Sequence, residues 1–69
     1  MNAIEHIGVR VRDTRKSQNL TQEQLAATAG VGVRFIRELE HGKDSCHIGK
    51  VLLILAMLGI EVQIDGRPL

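Results

Sequence analysis

Residues Leu20–Gly42, LTQEQLAATAGVGVRFIRELEHG, decide how the rest of this chain is read. Thr21 is a good helix N-cap, and Gln24 three residues on completes the reciprocal pairing of a capping box. Leu25, Ala26 and Ala29 give the helix that follows one small apolar face. Gly30 ends it, where the chain must take a left-handed conformation that a side chain would oppose. The spacing predicts a second helix from about Val33 to His41. Ile36 and Leu39 point inward there, and Arg34 and Arg37 lie on the other side at i, i+3 spacing. Gly42 closes it. Two short helices crossing over a glycine turn, the second basic on its outer face, form one compact supersecondary unit.

That unit is a helix-turn-helix, and its residues carry a specific resemblance. The pattern Thr-Gln-x-x-Leu-Ala-x-x-Ala-Gly-Val stands here as Thr21, Gln22, Leu25, Ala26, Ala29, Gly30 and Val31. Ile-x-x-Leu-Glu-x-Gly follows as Ile36, Leu39, Glu40 and Gly42. Over this stretch the chain resembles the Cro/C1-type (XRE) DNA-binding domains. The resemblance implies an all-α, lambda-repressor-like domain of four helices, with no enzymatic activity. It also implies that Arg15, on the first helix, pairs with Glu40 and braces the first helix against the third. The sequence departs from the family at Gly32, usually a Ser or Thr cap, and at Val33, where a polar base-reading residue is common.

Upstream, Asn2 and Glu5 form a second capping-box pattern, opening a helix from about Ala3 to Gln18. Ile4, Ile7, Val11 and Thr14 are its expected inner stripe, and Asn19 its left-handed end. Ile7, Val9 and Val11 also alternate with Gly8, Arg10 and Arg12 as a strand would; the helix is the reading adopted. Downstream, Ser45 is the expected cap of a fourth helix running to about Leu58 and stopped by Gly59. Ile48, Val51, Leu52, Leu55 and Leu58 share one face and complete the expected core. Leu53 and Met57 lie nearly opposite, so the helix is apolar almost all round and calls for cover from a partner subunit.

The tail, Ile60-Glu61-Val62-Gln63-Ile64, alternates apolar and polar residues and reads as a strand. Asp65-Gly66 could begin a hairpin, but Arg67, Pro68 and Leu69 are too few, on this reading, for a returning strand. An unpaired strand leaves its edge open, so residues 60–64 are expected to pair with the same strand across a homodimer. The chain is thus expected to be one domain, residues 1–69: helical over 1–59, a dimerisation strand over 60–64, and a short tail over 65–69. Leu53, Met57, Ile60, Val62 and Ile64 are the expected dimerisation residues. A four-helix domain with an exchanged terminal strand resembles the HipB-like antitoxin branch, as does RFIRELEHGK…KVLLILAMLGIEV.

Composition narrows the function. A chain of 69 residues buries only about 60% of its unfolded surface, and with one Phe and no Trp or Tyr its core must be aliphatic. The net charge of +1 is modest for a nucleic-acid binder, but the cations cluster: Arg10, Arg12, Arg15 and Lys16 early, then Arg34, Arg37, Lys43 and Lys50. The single Cys46 suits a reducing cytoplasm. No signal peptide or membrane-spanning run is read, since Val51–Leu58 is too short to span a bilayer. His6, His41 and His47 are scattered and adjacent Cys46-His47 lacks ligand spacing, so no metal, cofactor or catalytic residue is expected.

The expected partner is double-stranded DNA bearing a palindromic operator, read by two third helices about 34 Å apart. Thr21 and Gln22 stand at the start of the second helix, Gln22 placed to donate to a phosphate. Gly32 allows close backbone approach, Val33 and Phe35 face thymine methyls, Arg34 faces guanine, Arg37 a base or phosphate, and Lys43 a phosphate. The resemblance implies a transcriptional repressor acting as antitoxin to a HipA-like kinase toxin. The alternatives are a free-standing phage-type or restriction-modification controller regulator, and a protein-interaction module that has lost DNA binding.

Overall fold

The computed structural model describes residues 2–44 and 47–69. Four helices follow in order, α1 (Ala3–Ser17), α2 (Gln22–Ala29), α3 (Val33–Glu40) and α4 (Ile48–Met57), then a small hairpin, β1 (Gln63–Ile64) and β2 (Arg67–Pro68). The strand alternative for residues 7–12 fails on burial. Val11 is fully buried while Val9 is 41% exposed, which is the helical period and not alternation. Both capping boxes form: Asn2 with Glu5 on α1, and Thr21 with Gln24 on α2.

All four helices stop by one device. A residue of positive φ (Asn19, Gly30, Gly42 or Gly59) follows each last turn. The next residue then donates its N–H back to a carbonyl of that turn: Leu20 to Arg15, Val31 to Ala26, Lys43 to Glu38 and Ile60 to Leu55. This is the Schellman pattern, which satisfies carbonyls that a helix end leaves without partners.

The core is aliphatic: Val11 from α1, Leu25 and Ala26 from α2, Ile36 and Leu39 from α3, and Val51, Ile54, Leu55 and Leu58 from the last helix and its end. α3 packs on both α1 and α2, and α2 also touches α4. Gly8 marks the crossing of α1 over α3. A methyl group there would run into the carbonyl oxygen of Leu39 and stand 3.0 Å from that of Glu40, so the two backbones meet almost directly.

Two expectations need correction. The buried stripe of α4 is Val51, Ile54, Leu55 and Leu58, whereas Ile48 is 66% exposed and Leu52 36% exposed. Ile54 takes the place expected of Leu52. A helix apolar almost all round has no unique inward face, and the position of α2 selects one. The residue capping α4 is His47, whose Nδ1 accepts from the Lys50 N–H; the expected cap, Ser45, lies outside the described residues.

The second correction concerns the tail. Asp65 and Gly66 both have positive φ, 52° and 77°, the backbone of a two-residue type I′ turn. Arg67 then pairs with Ile64 and Pro68 with Gln63, antiparallel, and the Leu69 N–H donates to the Val62 carbonyl at 2.9 Å. Three residues suffice for the return because so tight a turn uses none of them. Pro68 is tolerated because a residue at a non-hydrogen-bonded pair needs no N–H toward its partner. The strand of residues 60–64 therefore has a partner in its own chain, and its ladder portion is only Gln63–Ile64.

Candidate nucleic-acid interface

The buried ion pair that holds α3 in place is Arg15 with Glu40. Arg15 Nε donates to Glu40 Oε2 at 2.6 Å and Nη2 to Oε1 at 3.0 Å, while Nη1 donates to the Leu20 carbonyl at 2.8 Å. The two side chains are 9% and 3% exposed. Hydrogen bonding to Glu40 raises the Arg15 pKa further, against the opposing effect of burial. A bidentate guanidinium–carboxylate pair whose third nitrogen also donates to a carbonyl is a geometry in which a buried charge is tolerated. Gln22 joins the same network, its Nε2 donating to Glu40 Oε1 at 3.1 Å. The start of α2, the end of α1 and the last turn of α3 are thereby tied to one carboxylate.

Held this way, α3 turns a charged face outward. Arg34 has 85% of its side chain exposed and Arg37 54%. Gly32 occupies the N-cap with no side-chain cap, and a Cβ there would meet nothing within 4 Å. The first N–H groups of α3 thus start from an open surface. Thr21 is committed to its cap, its Oγ1 accepting from the Gln24 N–H. Lys43, just beyond α3, has a half-exposed side chain.

These cations have carboxylate neighbours. Glu38 Oε2 accepts from Lys43 Nζ at 2.7 Å and lies 3.6 Å from Arg34 Nε. Glu23 Oε1 on α2 lies 3.7 Å from Arg37 Nη2. Lys43's hydrogen bond, with help from both cations' charge, holds the Glu38 carboxyl below the usual carboxylate range. A depressed carboxylate pKa makes this arrangement present at neutral pH, and it is lost as pH falls through that lowered value. Exposed pairs of this kind exchange partners easily, so phosphates could replace the carboxylates.

The apolar members of the expected site are placed differently from the cations. Val33 and Phe35 are only partly exposed and pack against the core, with Lys50 Nζ 5.8 Å from the centroid of the Phe35 ring. In the sequence Lys50 is one cation among several; the packing of the helices brings it over the Phe35 ring. Arg15, grouped by sequence with the basic cluster of α1, is withdrawn into the core. On the opposite question of self-association, Leu53, Met57 and Ile64 are exposed at 44%, 39% and 58%, while Ile60 and Val62 lean on their own core. Among the described residues no cluster of side chains could hold a metal ion, and no helix is long and apolar enough to cross a membrane.

The comparisons with known proteins bear on the same elements. Residues 11–64 match the helix-turn-helix family. The chain is also 55% identical over 58 residues to the uncharacterised HTH-type transcriptional regulator y4mF of Sinorhizobium fredii (strain NBRC 101917 / NGR234). That alignment covers 84% of this chain and 76% of the relative.

Proposed function

The chain belongs to the helix-turn-helix family, and from that membership we propose that this DNA-binding transcriptional regulator is a repressor working as a homodimer on a palindromic operator. The observation that carries the reading is the outer face of α3: Arg34 and Arg37 stand in solvent on a helix whose inner side is locked by a buried ion pair. A rigid rod with exposed guanidinium groups suits the major groove, where arginine pairs bidentately with guanine. In this reading Arg34 takes a base edge, and Arg37 a base or phosphate. Lys43 and the second N–H of the Gln22 amide take phosphates. Val33 and Phe35 offer their exposed parts to thymine methyls, and Gly32 lets the backbone come close.

Two copies would join through Leu53, Met57, Ile64 and the outer edge of β1. Its inner edge is taken by β2, and the missing N–H of Pro68 spoils the outer edge of β2 for pairing. A dimer ribbon would therefore be four-stranded, with the two β1 strands at its centre. The likeness of RFIRELEHGK and KVLLILAMLGIEV to HipB-like antitoxins supports a finer assignment: a cytoplasmic antitoxin that represses its own operon and neutralises a HipA-like kinase toxin.

The test is binding to the DNA upstream of the protein's own gene and to random DNA, titrated with salt. Affinity should fall steeply with salt on both, with a slope of about −0.9 for each phosphate contacted. Arg34→Ala should weaken operator binding by about 1–3 kcal/mol with a smaller loss on random DNA. Equal losses on the two would make Arg34 a phosphate contact, and indifference to salt would refute phosphate-driven binding altogether. A HipA-like kinase that co-purifies with the protein would support the antitoxin role; its absence would leave a free-standing regulator.

A further inference from the structure

The acidic residue Glu38 sits among the cations of α3, on a face assigned to a polyanion, and nothing in that assignment uses it. Lys43 Nζ anchors its Oε2 at 2.7 Å, and the same oxygen lies 3.6 Å from Arg34 Nε. Arg34 makes no other ion pair among the described residues. Its Nε edge faces the carboxylate, which leaves the edge formed by the two terminal nitrogens directed to solvent. That outer edge carries two parallel N–H donors and can make a bidentate contact with guanine.

We propose that Glu38 is a specificity-determining residue, which holds Arg34 toward a base edge and opposes its turning to a phosphate. The inference rests on the assignment of α3 to the major groove. The asymmetry follows from geometry. A guanine can be engaged by the outer edge of Arg34 with the Glu38 contact intact. Lys43 can take a phosphate in either complex, but capture of random DNA draws on phosphates alone, so there Arg34 must also turn away from Glu38, and a carboxylate is left facing the backbone. Glu38 therefore opposes non-specific binding more than specific binding, a repulsive element that sharpens discrimination.

The experiment measures affinity of the full chain and of Glu38→Gln for operator and random DNA over a range of salt. Removing the charge should strengthen binding to random DNA by roughly tenfold and steepen its salt slope by about 0.9 for each further phosphate neutralised. Operator binding should gain less or weaken, because Arg34 loses the contact that holds it toward the base, so the ratio of the two affinities falls. Combined with Lys43→Ala, the strengthening that Glu38→Gln brings on random DNA should shrink, because one of the released cations is gone. Equal strengthening on both DNAs, or an unchanged ratio, would overturn the proposal. A wild-type protein with no preference for operator would instead overturn the assignment of α3, and this inference with it. Glu38 is partly exposed and outside the core, and thermal unfolding of each variant confirms that the fold is retained.

Discussion

Arg15 and Glu40 are 25 residues apart in the chain and form the most buried polar contact among the described residues. The pairing followed from resemblance, yet its depth and its third and fourth partners, the Leu20 carbonyl and Gln22, came from the fold. Its depth sets the expected cost of breaking it. In Arg15→Ala the Glu40 carboxylate keeps only the Gln22 amide, and an uncompensated buried charge costs about 3–5 kcal/mol. Against a margin of about 5–15 kcal/mol for a domain, chemical denaturation should show a large part of the stability gone. Replacing both residues with apolar ones, as in Arg15→Met with Glu40→Leu, should lose less, since neither charge is then stranded. A double variant as unstable as Arg15→Ala would show that the pair holds the fold by its hydrogen bonds to Leu20 and Gln22.

At the scale of elements, the caps of α1 and α2 and the helix ends were legible because they are local. Asn2, Thr21, Asn19 and the four helix-ending or turn glycines act within six residues of themselves, so side-chain type and spacing are enough. Gly8 is the exception. Glycine in a helix interior costs about 1 kcal/mol relative to alanine, and that cost was the only signal that something crosses there. Its reason is the carbonyl rim of α3. Gly8→Ala should gain about 1 kcal/mol of helix propensity and lose about 1–3 kcal/mol to overpacking. The obstacle is backbone, which cannot rotate aside, so a net loss is expected, read as a lowered Tm. A raised Tm would mean that α1 slides on α3 without penalty. The hairpin was missed for a different reason: the turn signal Asp65-Gly66 was present, but the length needed for a return was overestimated.

At the scale of the whole molecule, the apolar surface of α4 and the hairpin is what one chain leaves uncovered. Leu53 lies on it, 44% exposed, away from the buried stripe. Leu53→Glu should leave the helices folded and shift the sedimentation profile toward the single subunit. If two α3 helices bind the operator together, uncoupling them should weaken operator binding by about a hundredfold or more. A profile and an affinity both unchanged would place self-association elsewhere on the surface.

The order of the helices, the N-caps of α1 and α2, the left-handed residues that end the helices, the inward residues of α2 and α3 and the exposed arginines of α3 could be read from sequence alone. Each depends on groups within a turn or two of one another, or on an amphipathic contrast strong enough to permit one orientation. The inward face of α4, the partial burial of Val33 and Phe35, the approach of Lys50 to Phe35 and the close crossing at Gly8 were decided only by the tertiary structure. Where a helix is apolar on every side, or a contact joins residues distant in the chain, local spacing is silent, and packing against neighbouring elements selects the outcome.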